Sequence, residues 1–447
     1  MVNRKKNNAY LKFSSLKRLK FWDYYTLYHK SEIHSNYNLV ELADVLTQRK
    51  DSIIIDDKKI YKRCRVKVRG QGIVLRDEIL GKDIKTKKQF LCKENDFLVA
   101  EIDAKVGGYG IVPKELVNAI VSSHYFLFEI NENKLNPNFL SILTKCKGFS
   151  KQVKATGSTN YAAIRPYQVL EYLIPLPNLK AQKKIVAQYN KKIALARKQK
   201  KEVIQLENDI ENYLFDVLGI EKASDKINKK GLQIVSLSQL EKWGVDFIEE
   251  NSNKSKLFNE FKINEICQIS SGGTPLRSRK EYYNGTIPWI KTGELENEII
   301  YDSEEKISTE GLDNSSAKLY EKGSLIIAMY GATIGKTAKL GIRATTNQAC
   351  AVLFKINNDI VLTDFLWEFL QIQIDNFKKL AYGSAQPNLN AGIISNYKVP
   401  IPPIRKQKEI INHILSLKNK VKKLVKQSDK NSLLAITEFE QKIFQSI

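Results

Sequence analysis

Two proline clusters, each leading into a long lysine-rich stretch, constrain this chain more than any other feature. Pro175-Leu176-Pro177 precedes 178–218, and Pro400-Ile401-Pro402-Pro403 precedes 404–426. After each cluster come an apolar residue (Leu179, Ile404), a Gln three positions on (Gln182, Gln407) and an apolar pair three beyond that (Ile185-Val186, Ile410-Ile411). Proline ends a strand, fixes φ, and is tolerated in the first turn of a helix because those N–H groups have no intrahelical partner. Two copies of one helix are therefore expected. In the first, Tyr189, Ala196, Val203, Ile210 and Val217 recur every seventh residue, with Ile185, Leu206 and Tyr213 interleaved and no Pro or Gly between them. That is a coiled-coil seam, weakened at Lys192 and Gln199. Ile410, Ile414, Leu417, Val421 and Leu424 make the same stripe in the second. Such stripes also suit a face packed on a core; the sharper expectation is that the two helices pair with each other, antiparallel, as a spacer.

The duplication extends beyond the helices. Leu16, Leu19 and Trp22 recur as Leu237, Leu240 and Trp243, an offset of 221. At the same offset Asn38, Val40, Leu42, Asp44 and Val45 face Asn259, Phe261, Ile263, Glu265 and Ile266. Further on the offset drifts to 225 or 226, where Phe139-Leu140 matches Phe365-Leu366 and Gly157-Ser158 matches Gly383-Ser384. Drift of this kind marks insertions in surface loops. Each repeat reads as a short helix, a globular body and a long helix. Short β-branched runs at 97–100, 120–121, 125–128, 324–328 and 349–354 read as strands, and 137–146 and 363–380 as helices, so the bodies are α+β. The charged stretch 221–230 is the expected linker.

At 447 residues the chain exceeds one ordinary core. Lys plus Arg number 72 against 49 Asp plus Glu, a formal charge of +23, which points to a polyanion: nucleic acid first, a membrane surface second. The many Asn and Ile residues allow genomic base composition as another source of the lysines. No apolar run approaches the ~18 to 20 residues of a membrane span, and no signal-peptide pattern is present, so a cytoplasmic protein is expected. Five cysteines (Cys64, Cys92, Cys146, Cys267, Cys350) lie far apart without a CxxC, which argues for buried thiols rather than disulfides or zinc.

Two motifs tempt toward catalysis and fail. Gly331-Ala-Thr-Ile-Gly335-Lys336-Thr337 follows an apolar strand, but a phosphate-binding loop needs four residues between its glycines and a helix after them. Here there are three, so a turn carrying a Lys is expected. Asn136-Pro137-Asn138-Phe139 is one residue from the motif with which amino-methyltransferases hold a flipped base; it reads better as a helix N-cap. The histidines His29, His34, His124 and His413 form no cluster, and His124, placed in a strand, reads as a satisfied core or groove residue. No catalytic constellation, cofactor site or metal site can be argued.

Basic polar loops point elsewhere, because reading DNA takes Arg, Lys, Asn and Gln on rigid elements near phosphates and base edges. Arg63, Arg65, Lys67, Arg69 and Gln71 alternate along one strand-like run, followed by Arg76 and the cluster 82–88. Gly157-Ser158-Thr159-Asn160-Tyr161 adds a polar loop. In the second body Ser270-Ser271-Gly272-Gly273-Thr274-Pro275 precedes Arg277, Arg279, Lys280, Tyr282 and Tyr283. Lys291 and Thr292, Lys336, Asn347 and Gln348, and Gln386 and Asn388 carry the same chemistry.

These residues together resemble the specificity subunit of type I restriction-modification systems. The resemblance rests on Ser271-Gly272-Gly273-Thr274-Pro275 with Ile287-Pro288-Trp289-Ile290, on Gly331-Ala332-Thr333-Ile334-Gly335 with Asn347-Gln348, and on Gln386-Pro387-Asn388-Leu389 with Pro400-Ile401-Pro402-Pro403 and Gln407. Gly157-Ser158-Thr159-Asn160-Tyr161 and Ile174-Pro175-Leu176-Pro177 with Gln182 repeat the framework in the first half. The first half departs from the pattern, carrying Arg49-Lys50-Asp51-Ser52 where the second has its Ser-Gly-Gly-Thr loop, which suggests that the halves read different sequences.

The resemblance implies an α+β chain with two pseudo-repeated DNA target-recognition domains separated by two long antiparallel coiled-coil helices. The segments would be 1–36 (helical start of repeat 1), 37–175 (first recognition domain), 176–218 (first spacer helix), 219–257 (linker and start of repeat 2), 258–400 (second recognition domain) and 401–447 (second spacer helix and C-terminus). About forty helical residues span roughly 60 Å at ~1.5 Å each, one to two turns of DNA at ~34 Å per turn. The resemblance further implies a non-catalytic subunit that recognises a bipartite, asymmetric site in double-stranded DNA. By the same resemblance, methyltransferase subunits would dock on its helices, bind S-adenosylmethionine and methylate flipped adenines, and a nuclease or translocase subunit would be a further partner. Two readings of other classes compete: a single-chain restriction or methylation enzyme, for which no domain can be placed, and an adaptor that binds nucleic acid without sequence preference, which would show a salt slope alone.

Overall fold

The computed structural model describes residues 33–153, 163–220, 255–381 and 388–444. The chain forms two compact units, Met1–Gln199 with Lys426–Ile447, and Lys200–Val425. The expected short helices, over 1–32 of the segment 1–36 and after Leu237, and the linker at 221–230, lie outside the described residues; the described end of the first segment, 33–36, is not helical.

In the first unit a four-stranded sheet runs in the order Leu46–Arg49, Tyr125–Ile130, Phe97–Ala100, Tyr109–Ile111. Phe97, Val99, Phe128 and Phe139 are buried in its core. The strands at Phe97–Ala100 and Ile120–Val121 fall where β-branched runs placed them. A separate five-stranded sheet orders Ser52–Ile54, Lys88–Leu91, Ile120–Val121, Ile60–Lys67 and Gly72–Leu80. A closure three residues long pairs the repeat's anchors: Leu39 sits opposite Pro175, Val40 opposite Ile174 and Glu41 opposite Leu173.

The second unit repeats this frame. Gln268–Ser271, Cys350–Phe354, Leu325–Ala328 and Thr337–Leu340 follow the same order, with Ile299–Ile300 added at the edge. Phe261 pairs with Val399 and Glu260 with Pro400. The second sheet differs: here it has three strands, Glu305–Ile307, Ile287–Ile290 and Thr345–Thr346.

Each proline cluster opens a 40-residue helix, Leu179–Leu218 and Ile404–Ile443. In the first unit Tyr189 meets Phe439 with ring centroids 6.2 Å apart. In the second, Tyr213 meets His413 at 4.2 Å. Partner numbers fall as helix numbers rise, so the pairing is antiparallel. The second helix runs past the expected 426 to Ile443. Its polar stretch does not end it, because Ser428 Oγ donates to the Ala196 carbonyl at 3.0 Å and Asn431 Nδ2 to Gln199 Oε1 at 2.9 Å. The two weak points expected in the seam are thus satisfied across it: Gln199 through Asn431, and Lys192 through Glu438 at 3.0 Å.

Candidate nucleic-acid interface

In the first unit the basic residues lie on the hairpin Ile60–Lys67 and Gly72–Leu80. Cys64 and Val66 point into a core, so the two-residue period turns Arg65 and Lys67 to solvent. Arg63 is half-buried and bound by Asp77 through two hydrogen bonds of 2.7 Å, which holds the Asp77 carboxyl below its usual range. The ladder slips between Arg63 and Cys64, pairing them with Asp77 and Leu75. The residue left out by that bulge, Arg76, is exposed. The single strand face expected for 63–71 is not formed. The strand ends at Lys67, and Arg69 (φ 58°) and Gly70 (φ 65°) enter the left-handed region of a turn. Backbone bonds from Arg69 N to Val106 O (2.7 Å) and Gly70 N to Gly107 O (3.0 Å) draw that turn out of line. Arg69 and Gln71 therefore sit exposed at the hairpin tip, apart from the strand face. Ser158, Thr159, Asn160 and Tyr161 lie outside the described residues.

In the second unit, loops distant in sequence converge. Gly272 and Gly273 are buried, and their N–H groups donate to Cys350 O (3.0 Å) and Thr346 O (2.9 Å). A Cβ on Gly272 would lie 2.2 Å from Asn347 O, and one on Gly273 2.1 Å from Ala317 N. Those glycines are there for close backbone approach. Gly273 O accepts Trp289 Nε1–H at 2.9 Å, and Asn347 N–H donates to Ile290 O at 2.9 Å. Around this hub Ser271, Gln348 and Asn388 are exposed, Thr274 and Thr292 half-buried. Thr346 Oγ1 and Asn347 Oδ1 are buried with no partner among the described residues. Gln386 falls outside them.

The cations picked from the sequence are mostly engaged. Arg277 Nη1 donates to Glu305 Oε2 at 2.5 Å, and its guanidinium lies 4.4 Å from the Tyr283 ring and 4.7 Å from that of Trp289. Lys291 Nζ reaches Glu304 and Glu305, each at 2.9 Å. Arg277 and then Lys291 hold the Glu305 carboxyl below the usual carboxylate range. Lys336 is paired with Glu296 at 2.8 Å and Arg279 with Glu281 at 3.3 Å. Lys280 is exposed and Tyr282 half-buried, its carbonyl accepting Ser308 N–H at 2.9 Å. Glu296, Glu304 and Glu305 were not visible as partners in the sequence, where Glu305 is 28 residues from Arg277.

The decoy motifs resolve as local structure. Asn136 caps Pro137–Leu143, its side chain accepting from Asn138 N and Phe139 N. Gly331–Thr333 is a single 3₁₀ turn followed by a strand. His124, expected in a core or groove, is instead exposed and 3.1 Å from Glu101, because it precedes the strand Tyr125–Ile130 in a turn. All five cysteines are buried and free, although Cys64 and Cys92, far apart in sequence, bring their sulfurs to 3.7 Å. No group of three or more His, Cys, Asp or Glu among the described residues is arranged to hold a metal, and no described helix is long and apolar enough to cross a membrane.

A family profile described as the type I restriction modification DNA specificity domain matches residues 34–207 and again 255–431. The chain belongs to that family. Its two matched stretches each cover one repeat. Among curated relatives, the specificity subunit of the type I restriction enzyme MjaIX from Methanocaldococcus jannaschii is 27% identical over 205 residues, 44% of this chain and 47% of the relative. That of EcoR124I/EcoR124II from Escherichia coli is 25% identical over 33% of this chain and 38% of the relative. The match to MjaIX thus spans about half of that relative. The HindI specificity subunit of Haemophilus influenzae aligns over 74% of this chain and 81% of its own length at 23% identity. The fold is also that of a solved chain from a study of complex assembly and conformational transition of the type I R-M system, with TM-score 0.59, 17% identity and coverage of 92% and 99%.

Proposed function

We propose that the chain is a non-catalytic specificity subunit whose two bodies, at 37–175 and 258–400, read the two parts of a bipartite, asymmetric site in double-stranded DNA. One observation carries this reading. The same four-strand frame, the same strand closure and the same proline-Gln helix start occur twice, while the second sheets differ in strand number and carry different basic residues. A shared frame with unlike reading surfaces suits two unlike half-sites.

The candidate contacts are Arg65, Lys67, Arg69, Gln71 and Arg76 with Arg63 in the first body, and Ser271, Thr274, Arg277, Arg279, Lys280, Lys291, Gln348 and Asn388 in the second. In this reading methyltransferase subunits dock on the long helices, which expose Leu195 and Leu433 in the first unit and Ile204 and Leu415 in the second. Those partners bind S-adenosylmethionine and methylate adenines, a nuclease or translocase subunit restricts unmethylated DNA, and the assembly works in the cytoplasm. The test is co-expression of the full chain with its methyltransferase subunit, followed by genome-wide mapping of methylated adenines. A gapped motif that disappears when the chain is omitted is the expected result; methylation without any gapped motif would overturn the reading.

A further inference from the structure

We propose, on the basis of the DNA-specificity reading above, that Arg277 reads the edge of a guanine and that Glu305 is the positioning residue that sets its orientation. Three observations meet at this point. The first is a rigid aromatic seat. Trp289 is 2% exposed, fixed by its strand and by its Nε1–H bond to Gly273 O at 2.9 Å. Tyr283 is tied by its hydroxyl to Pro275 O at 2.6 Å, and the two rings meet edge-on with centroids 5.7 Å apart. The Arg277 guanidinium lies against both rings.

The second is the carboxylate that orients it. Glu305 stands directly opposite Trp289 in an antiparallel strand pair. Its Oε2 accepts from Arg277 and its Oε1 from Lys291. With each oxygen committed to a different cation, and Lys291 itself anchored by Glu304, the carboxylate cannot swing without breaking a bond, and the guanidinium plane is held.

The third is what remains free. A guanidinium has five N–H donors and Glu305 uses one of them, while 53% of the Arg277 side chain is exposed. Phosphate is met by any positive charge, a lysine ammonium as well as a guanidinium fork, whereas the two acceptors of a guanine edge ask for a planar fork held in the base plane. A neighbouring carboxylate also neutralises Arg277, which suits base reading and works against phosphate attraction. Arg279 differs in exposure, not in charge pairing: its side chain is 62% exposed, with Glu281 at 3.3 Å.

Selection of bound duplexes from a random pool tests this, using the full chain in complex with its methyltransferase subunits. Thermal unfolding of each variant at the wild-type temperature verifies the fold. Arg277→Lys keeps the charge and loses the fork; it should reduce preference for G at one position in one half of the motif by about 5- to 150-fold and leave the other half intact. Glu305→Gln should weaken preference at that same position and steepen the salt dependence of binding by about one unit of log–log slope, as a freed cation reaches phosphate. Glu321→Gln, which removes a surface carboxylate beside Arg343, should change neither. If Arg277→Lys weakens all sequences equally, Arg277 is a phosphate contact and the assignment fails. If Glu305→Gln leaves both preference and slope unchanged, the positioning role fails. A wild-type chain that selects no gapped motif sinks the specificity reading itself, an outcome distinct from either.

Discussion

Gln407 accepts the backbone N–H of Leu362 on Oε1 at 2.8 Å, while its Nε2 donates to the carbonyls of Ile360 and Pro402. In the first repeat Gln182 does the same with Asn136 N–H at 2.7 Å and the carbonyls of Lys134 and Pro177. Both side chains are fully buried. Each glutamine thus welds the start of a long helix to the loop before the body's helix. Replacing Gln407 by Leu leaves three backbone groups unpaired, one buried and two half-buried, and should destabilise the second unit by about 3 kcal/mol. Chemical denaturation followed by Trp fluorescence checks it, since Trp289 and Trp367 both lie in that unit.

Gly272→Ala places a methyl group within 2.2 Å of the Asn347 carbonyl and the Thr346 hydroxyl. Backbone cannot retreat there without breaking the bond from Gly272 N to Cys350 O. A loss of about 1 to 3 kcal/mol is expected from overpacking. Gly293→Ala, where nothing lies within 4 Å, should stay within about 0.5 kcal/mol of wild type. Thermal melts of the two variants side by side test the contrast.

The Tyr172 hydroxyl is buried in the first unit with no hydrogen-bond partner among the described residues. Burial pushes its phenol up from the ordinary value near 10. The folded state therefore keeps the proton while the unfolded chain gives it up, so this residue favours unfolding as pH rises above about 10. Tyr172→Phe should be neutral or stabilising at pH 7, and should lose less stability than wild type between pH 9 and roughly 11. Urea denaturation at several pH values measures it; a variant less stable at both ends overturns the account.

The long helices and the duplication were legible because heptad spacing, proline and a conspicuous repeat are local signals. The β-branched runs at Phe97–Ala100 and Leu325–Ala328 were legible for the same reason. The three-stranded sheet of the second unit was not, since its strands are short and pair at a distance: Trp289 lies beside Thr345 in a parallel pair. The ion pairs were equally hidden: Arg277, Lys291 and Lys336, expected from the sequence as candidate DNA contacts, each have a carboxylate partner. The departure of the first half has a physical reason that only register reveals. Arg49 faces Leu127 as Ser271 faces Ala351, and its buried guanidinium is bound to Asp96 and Asp51. An ion pair there replaces the glycine contact of the second half.

The core of the first unit contains Phe439 and Ile443 beside Phe139 and Ile185, and Asn36 N–H donates to Ile443 O at 3.1 Å. These partners leave the ribosome after all of Lys200–Val425. During synthesis the unit that begins the chain must wait, its apolar face uncovered, while the later one already has every residue it needs. Order of translation and order of completion run in opposite directions, so the earlier body is the one exposed to chaperones and proteases, and a chain stopped between Val425 and Phe439 leaves the core of the first unit unfilled.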